Sequence, residues 1–223
     1  MQDKDRRLSQ QLAREHLERG DGQGWFEELY RQAAGDLSVV PWADMQPHPL
    51  LLELLDQLEG RLGGPAVVVG CGLGDDAEEL ARRGFSVTAF DLAPTAIEWC
   101  RKRWPESRVS YRQADLLDPP ADMLGRFSTV VEIHTLQAVP EELRRRMLAP
   151  LASLLAPAGR LLLICRVREE DEEIDGPPWA LSRSELELLC TQCGLQTELF
   201  EYHATGGETG SPRWFCVFRR PPA

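Results

Sequence analysis

Hydrophobic and polar positions alternate with two different periods along most of this chain. From about residue 65 onward, short runs rich in β-branched residues, typical of strands buried on both faces, alternate with amphipathic segments of helical period. The runs that predict strands are residues 67–69, 86–91, 108–113, 127–133 and 160–166. The segments that predict helices are residues 75–83, 94–103, 141–155 and 182–192. Strands and helices in this order build a parallel sheet with right-handed crossovers.

The C-terminal end departs from this alternation. Two extended segments, 195–204 and 213–219, follow one another without a helix, and the loop 205–212 between them is rich in Gly and Thr. Such a pair is typical of a hairpin at the edge of a sheet. With the preceding strands it predicts an α/β fold with a seven-stranded, mostly parallel sheet and an antiparallel C-terminal hairpin strand.

The first 60 residues have a pattern of their own. Leucines among many charges predict an amphipathic helix at 5–19, and a leucine-rich helix at 50–58 follows Pro47-His48-Pro49. Trp25 and Trp42 lie between these helices, in a segment broken by Gly and Pro. Their rings are either buried anchors of this segment or a wall of the active site, where a flat ring can attract a cationic sulfur.

A glycine-rich turn, Gly70-Cys71-Gly72-Leu73-Gly74, directly follows the first predicted strand. Glycines reach positive φ without steric cost and let backbone N–H groups approach a ligand closely. A dinucleotide fingerprint requires its third glycine at position 75, where this chain has Asp75. Asp75 and Asp76 begin the next helix, where two carboxylates would repel a diphosphate. The loop therefore suits a cofactor without phosphates.

Acidic residues lie at, or just past, the ends of three further predicted strands. Asp91 could accept both hydroxyls of a ribose, or it could cap the helix that begins at Pro94. Asp115 could accept the amine of an adenine that packs on Leu116, or it could be an ordinary turn residue. Glu132 and His134 would face the cleft at the carboxyl end of the fourth strand.

Two residues near the fifth predicted strand are candidates for holding an acceptor. Arg166 ends that strand and could bind an anionic substrate bidentately, or it could pair with the acidic loop 168–175 that follows. Trp179 directly follows two prolines after the acidic loop, so this segment could form a second lid over the site.

Composition narrows the classes of partner. The 223 residues suit one α/β domain, and a formal net charge of −11 disfavours a nucleic-acid surface, which needs clustered Lys and Arg. No apolar run approaches the roughly 20 residues of a membrane helix, so we expect a cytoplasmic protein without membrane contact. The six cysteines are expected to be reduced, including the pair Cys190 and Cys193. The four histidines share no ligand spacing, so no metal site is predicted.

Taken together, the glycine loop, Asp91, the run Ala114-Asp115-Leu116 and the terminal hairpin resemble the class I S-adenosylmethionine-dependent methyltransferases. Trp25, Pro41-Trp42 and Pro47-His48-Pro49-Leu50 resemble the thiopurine methyltransferase-like branch, with the tellurite-resistance methyltransferases as near relatives. The resemblance implies a Rossmann-like catalytic domain at 61–223 and a helical cap at 1–60, together one compact unit.

The resemblance also implies the roles of individual residues. Many class I enzymes have an acid two residues before the first glycine, where this chain has Val68, so the partner of the methionine amine stays unassigned. S-adenosylmethionine is the implied cofactor and a small molecule, such as a thiol or chalcogen compound, the implied acceptor. The implied cofactor residues are Trp25, Trp42, Gly70, Cys71, Gly72, Gly74, Asp91, Leu92, Asp115, Leu116 and Glu132.

The implied reaction is in-line transfer of a methyl group from a sulfonium to a nucleophile. Such a displacement depends mostly on alignment, and a base is needed only if the acceptor atom is protonated. His134 is the histidine placed for that role, although it could instead be a loop residue that bonds the backbone. Two alternatives remain at this point: an NAD-dependent oxidoreductase of Rossmann type, and a non-catalytic, methyltransferase-like binding protein.

Overall fold

Seven strands form a single sheet in the computed structural model, which describes residues 6–204 and 210–222. The strands are β1 Pro65–Val69, β2 Ser86–Asp91, β3 Ser110–Gln113, β4 Phe127–Ile133, β5 Leu155–Arg166, β6 Gln196–His203 and β7 Arg213–Arg219. Their order is β3-β2-β1-β4-β5-β7-β6, and only β7 runs antiparallel to its neighbours β5 and β6. This confirms the predicted mostly parallel sheet with an antiparallel hairpin strand. Residues 205–209 of the predicted hairpin loop lie outside the described residues.

Seven α-helices accompany the sheet in the described part of the chain. They are α1 Arg7–Glu18, α2 Trp25–Ala33, α3 Pro49–Gln57, α4 Asp75–Arg82, α5 Pro94–Arg103, α6 Glu141–Ser153 and α7 Arg183–Thr191. One apolar cluster joins α6 and α7 to the sheet face that carries Val69 and Cys165. A second cluster joins α3, α4 and α5 to the opposite face, which carries Val68 and Ile164. Because both faces are covered, the central strands are apolar throughout.

Strand β5 begins earlier than the predicted start at residue 160. Leu155 pairs with Phe127, and the register then shifts before Arg160 pairs with Thr129. The turn within this strand passes very close to its neighbour, since a Cβ built on Gly159 would lie 2.8 Å from the Phe127 carbonyl oxygen and 2.9 Å from that of Ala156. The apolar run alone did not indicate this irregular extension.

The N-terminal segment covers the carboxyl edge of the sheet on the β1, β2 and β3 side. Tyr30 and Val40 share an apolar cluster with Leu73 of the glycine loop and with the start of α5. Glu27 accepts hydrogen bonds from the Thr95 backbone N–H (3.1 Å) and hydroxyl (2.7 Å). Helix α3, by contrast, packs with the core of the sheet. Of the predicted helix 5–19, residue 5 lies outside the described residues.

No helix in the described ranges is long and apolar enough to cross a bilayer.

Replacing Gly159 by Ala tests the close approach between β5 and β4. The added Cβ would collide with two backbone oxygens, so we expect the free energy of unfolding to fall by about 1–3 kcal/mol, the usual cost of overpacking. Urea denaturation measures this change. Gly63→Ala is the matched control, because a Cβ there has no heavy atom within 4 Å. Equal stability of the two variants would contradict the prediction.

Candidate functional site

The glycine loop is held in shape by side chains from three other segments. Gly70, Gly72 and Gly74 all have positive φ, at 58°, 53° and 87°. The missing Cβ atoms leave room for Thr135 beside Gly70, for Trp42 and Tyr30 beside Gly72, and for the Tyr111 hydroxyl beside Gly74. The backbone conformation therefore favours glycine at all three positions, and packing also requires it at Gly70 and Gly74, where a Cβ would collide with the Thr135 hydroxyl and the Tyr111 hydroxyl.

Asp91 joins the end of β2 to this loop. Its carboxylate accepts the N–H of Gly72 at 3.0 Å and the N–H of Ala93 at 2.9 Å. The side chain is 9% exposed, and burial raises the pKa of Asp91 to about 6. Ala93 is the N-cap residue of α5, so Asp91 supports the start of that helix through the backbone without capping it directly. The loop contact is one that sequence spacing did not indicate.

Cys71 and Leu92 contribute to the same junction through their backbones. The Cys71 N–H donates to the Phe90 carbonyl at 2.9 Å, and the Leu92 carbonyl accepts from the Gln113 side chain at 3.4 Å. A hydrogen bond with the Cys100 thiol, together with burial, raises the pKa of the Cys71 thiol well above its usual value. This thiol is therefore protonated at neutral pH and suits a packing role.

Asp115 lies at the turn after β3, as expected. One of its oxygens accepts the Leu117 N–H at 2.8 Å and the Gln23 side-chain amide at 3.3 Å. Leu116 is buried in the apolar cluster that contains Val69. Asp115 thus forms the turn that was one of its two interpretations, and it also links the turn to the N-terminal cap.

The two tryptophans of the cap have different surroundings. Trp25 is 1% exposed and packs with Leu12 and Leu29, which corresponds to the anchor interpretation. Trp42 is half-buried, donates its indole N–H to the Tyr30 hydroxyl at 2.6 Å, and lies beside Gly72. Trp42 is therefore the tryptophan that covers the glycine loop.

Glu132 is a fully buried carboxylate at the end of β4. One oxygen accepts the backbone N–H groups of Thr135 (2.6 Å) and Leu136 (2.9 Å), while Oε2 has no hydrogen-bond partner in the described part of the chain. Burial raises the pKa of Glu132 to about 7. The residue shapes the turn after β4, which carries His134.

His134 is buried in an unusual backbone conformation, with φ at 66°. Its ring packs edge-on against the ring of His48 with centroids 5.1 Å apart, and no other described residue forms a hydrogen bond with its Nε2 atom. Burial, followed by the charges of His48, Arg213, Arg166 and Arg6, holds the pKa of His134 well below 6.5. His134 is therefore neutral at neutral pH.

His48 has a fixed tautomer. Its Nδ1 atom accepts the Leu50 N–H at 3.3 Å at the start of α3, so the proton of the neutral ring is on Nε2. Burial lowers the pKa of His48 to about 4. Sequence reasoning did not place His48 in the site, although its position between two prolines marked a helix start.

Arg166 and Arg213 face each other across neighbouring strands. The register of β5 and β7 pairs these two residues, and side-chain alternation puts both on the face that carries Ile164 and Phe215. The Arg166 guanidinium forms no hydrogen bond or ion pair within residues 6–204 and 210–222. Burial and the charges of Arg6 and Arg213 lower the pKa of Arg166 to about 10. Arg213 was not predicted, because the pairing that brings it to Arg166 is not visible along the chain.

The acidic loop engages a different arginine from the one considered in the sequence. Arg168 donates to the carbonyls of Glu169, Glu170 and Glu172 and forms an ion pair with Glu185 at 2.6 Å. The alternative pairing of Arg166 with this loop is therefore wrong for the described residues.

Trp179 lines a cavity to which neither the histidines nor Arg166 contribute. The cavity has a volume of about 340 Å³, and the acidic loop, Arg144 and Arg168 also line it. The structure thus does not bring the Trp179 side chain together with the other predicted acceptor residue. Its role in acceptor binding stays a prediction.

The charges at the start of α4 are partly compensated. Asp75 forms a bidentate ion pair with Arg103, with both contacts at 2.5 Å, and Asp76 accepts the His48 N–H at 2.7 Å. Burial raises the pKa of Asp76 to about 6. These carboxylates occupy the helix N-terminus that a diphosphate would use. Because Arg103 pairs with Asp75, their repulsion of a diphosphate is weaker than the sequence suggested.

The residues at this edge fit S-adenosylmethionine. The glycine loop offers backbone groups without Cβ atoms, Asp91 offers a carboxylate for hydroxyl groups, and the indole ring of Trp42 lies beside Gly72. No group of three or more His, Cys, Asp or Glu residues that could hold a metal ion is present in the part of the chain that the structure describes.

Comparisons with known proteins agree with this geometry. A profile of the thiopurine S-methyltransferase (TPMT) family matches residues 32–210. The 2-heptyl-1-hydroxyquinolin-4(1H)-one methyltransferase of Mycobacteroides abscessus is 31% identical over 161 residues, which are 70% of this chain and 70% of that relative.

Two further proteins are similar over different extents. The ubiquinone biosynthesis O-methyltransferase of Xanthomonas euvesicatoria pv. vesicatoria is 36% identical over 118 residues, 52% of this chain and about half (48%) of that relative. The N-methyltransferase NodS of Bradyrhizobium japonicum, solved with S-adenosyl-L-homocysteine, has a TM-score of 0.67 at 22% identity. That alignment covers 88% of this chain and 98% of NodS, and it supports the fold.

Replacing Glu132 by Gln tests the buried carboxylate at the end of β4. The folded protein holds the pKa of Glu132 at about 7, above its ordinary value of 4.5, so the wild type loses stability as pH rises between these values. Gln does not titrate, so we expect the stability of the variant relative to wild type to increase from pH 5 to pH 8. Urea denaturation at constant ionic strength measures the difference. A difference that is independent of pH would contradict the prediction.

Proposed function

The chain belongs to the thiopurine S-methyltransferase family, and on that premise we propose that it methylates a small acceptor molecule carrying an anionic group. The enzyme is an S-adenosylmethionine-dependent methyltransferase. When bound, S-adenosylmethionine supplies a methyl group on a positively charged sulfur. The proposal concerns the acceptor and the residues that hold each partner.

We assign the cofactor residues from the junction around the glycine loop. Backbone groups of Gly70 and Gly72 hold the methionine end, and Asp91 accepts the ribose hydroxyls. Asp115 is assigned to the adenine amine. The support is that these residues lie together at the carboxyl edge of β1, β2 and β3, where ligands bind in open α/β sheets.

The acceptor site is assigned to the neighbouring part of the same edge. The observation that carries this assignment is the pairing of Arg166 with Arg213 on one face, where the Arg166 guanidinium has no carboxylate partner among the described residues. Like charges opposite each other on a sheet are unfavourable, so an anion between them is stabilising. A guanidinium also binds a carboxylate with two parallel hydrogen bonds.

His134 is assigned as the residue beside the acceptor atom. The backbone N–H of His134 donates to the Ile164 carbonyl at 3.1 Å, which keeps this histidine next to the end of β5. Because its pKa lies well below 6.5, the neutral ring is a weak base. We therefore propose that the acceptor atom reaches the site already ionised, as a thiolate or an acidic hydroxyl does, and that His134 orients it.

The names of the relatives are compatible with small-molecule acceptors. One acts on a hydroxyquinolinone, and another is an O-methyltransferase of ubiquinone biosynthesis. Oxygen is therefore the alternative to sulfur as the acceptor atom in this proposal.

Replacing Asp91 by Asn tests the cofactor assignment. Asn offers one oxygen in place of a carboxylate, so we expect the affinity for S-adenosylhomocysteine to fall by about ten-fold, equivalent to about 1.4 kcal/mol. Isothermal titration calorimetry measures the dissociation constant. Asp122→Asn is the matched control, because Asp122 is exposed and pairs with Arg112 at the surface.

The pH dependence gives a second readout for the same residue. Since the pKa of Asp91 is about 6, wild-type affinity should weaken as pH falls from 8 to 5, and the Asn variant should lose this dependence. No binding by the wild-type protein would overturn the cofactor assignment. An unchanged affinity in Asp91→Asn would remove Asp91 from it.

Replacing Arg166 by Gln tests the acceptor assignment. Thiophenol and 2-mercaptobenzoate form a matched pair that differs by one carboxylate. We expect Arg166→Gln to raise KM for 2-mercaptobenzoate by about ten-fold and to leave KM for thiophenol almost unchanged. A ten-fold increase is the size expected for the loss of one charged hydrogen bond. An S-adenosylhomocysteine-release assay measures KM for both thiols. Arg112→Gln, at the surface, is the control, and an equal loss for both thiols would contradict the proposal.

A further inference from the structure

The end of β5 has a hydrogen-bond partner that does not come from a strand. Strand β4 pairs with β5 up to Ile133 and Ile164, and then the chain turns away at His134. In a regular parallel ladder the His134 carbonyl would accept the Arg166 N–H. Here the side-chain oxygen Oε1 of Gln137 accepts it instead, at 2.6 Å. A side chain thus takes the place of the missing strand residue.

Gln137 also holds a second segment with its backbone. Its carbonyl accepts the Trp179 N–H at 2.7 Å, and the Leu181 N–H donates to the Arg166 carbonyl at 3.0 Å. Gln137 is 5% exposed, so water does not readily replace these bonds. One buried residue therefore connects the turn after β4, the end of β5 and the segment around Trp179.

The neighbouring polar residues do not duplicate this contact. The Arg144 side chain donates to the Trp179 carbonyl at 3.0 Å and pairs with Glu185, so it supports the Trp179 segment from its other side. Arg168 bonds the acidic loop and Glu185. Among the described residues, Gln137 is the one whose side chain is bonded to Arg166.

We propose that Gln137 is a positioning residue for acceptor binding, because its side-chain oxygen fixes the backbone from which Arg166 reaches the acceptor. The inference rests on the proposed function, in which Arg166 and Arg213 bind the anionic group. Without the Gln137 oxygen as its hydrogen-bond acceptor, the Arg166 backbone N–H would be left unsatisfied in a half-buried place, which is costly. The end of β5 would then relax, and Arg166 would no longer stay opposite Arg213.

The test compares variants that keep or lose the hydrogen-bond acceptor. Gln137→Met has a similar length and no acceptor oxygen, whereas Gln137→Glu keeps an oxygen at the same distance from the backbone. We expect Gln137→Met to raise KM for 2-mercaptobenzoate by about ten-fold, with kcat, thiophenol KM and S-adenosylhomocysteine affinity nearly unchanged. Gln137→Glu should recover most of the loss. If the Met variant does not fold, Gln137→Asn replaces it in the test, because its side chain is one methylene shorter and its oxygen no longer reaches the Arg166 N–H.

A double variant separates this inference from the proposed function. In an Arg166→Gln background, Gln137→Met should change the 2-mercaptobenzoate KM less than about two-fold, because the two residues act through one contact. An effect that is the same for both thiols, or that persists in full without Arg166, overturns the positioning role. If Arg166→Gln itself does not distinguish the two thiols, the proposed acceptor site fails first, and the inference fails with it.

Discussion

The contact between the Asp91 carboxylate and the Gly72 backbone N–H is the interaction on which the cofactor edge depends. It ties the end of β2 to the loop after β1, and the same carboxylate supports the start of α5 through Ala93. The glycines allow the loop its positive φ angles, and the missing Cβ atoms of Gly70 and Gly74 leave room for Thr135 and Tyr111. Burial raises the pKa of Asp91, which is the cost of keeping a carboxylate in this junction.

Electrostatics divide the carboxyl edge of the sheet into two parts. On the proposed cofactor side, Asp91 and Asp115 are assigned to the ribose hydroxyls and the adenine amine. On the proposed acceptor side, burial is the main cause that keeps His134 neutral, and the positive charges of Arg213 and Arg166 add to it. These positive charges lie in a chain whose net charge is −11, so local placement of charges, and not their sum, decides what the site attracts.

The turn after β4 connects these two parts. Thr135 packs against Gly70 on the cofactor side, and Gln137 bonds Arg166 on the acceptor side. Glu132 holds the turn between them through two backbone N–H groups. A methyl transfer depends on alignment of its two partners, so a short rigid turn that contacts both sites is a physical means of aligning them.

The sequence by itself determined the strand and helix order, the glycine loop and the acids at strand ends, because these depend on local periodicity and on residue types with special backbone freedom. It also indicated the family, since several such features occur at a fixed spacing. Only the tertiary structure decided which tryptophan covers the loop, which arginine binds the acidic loop, and that Arg213, His48 and Gln137 lie beside Arg166 and His134. Apart from the local contacts of Arg168 with its own loop, those contacts join residues far apart in the chain. They arise from strand register, from packing of the N-terminal segment and from the backbone turn at His134, which no local pattern encodes.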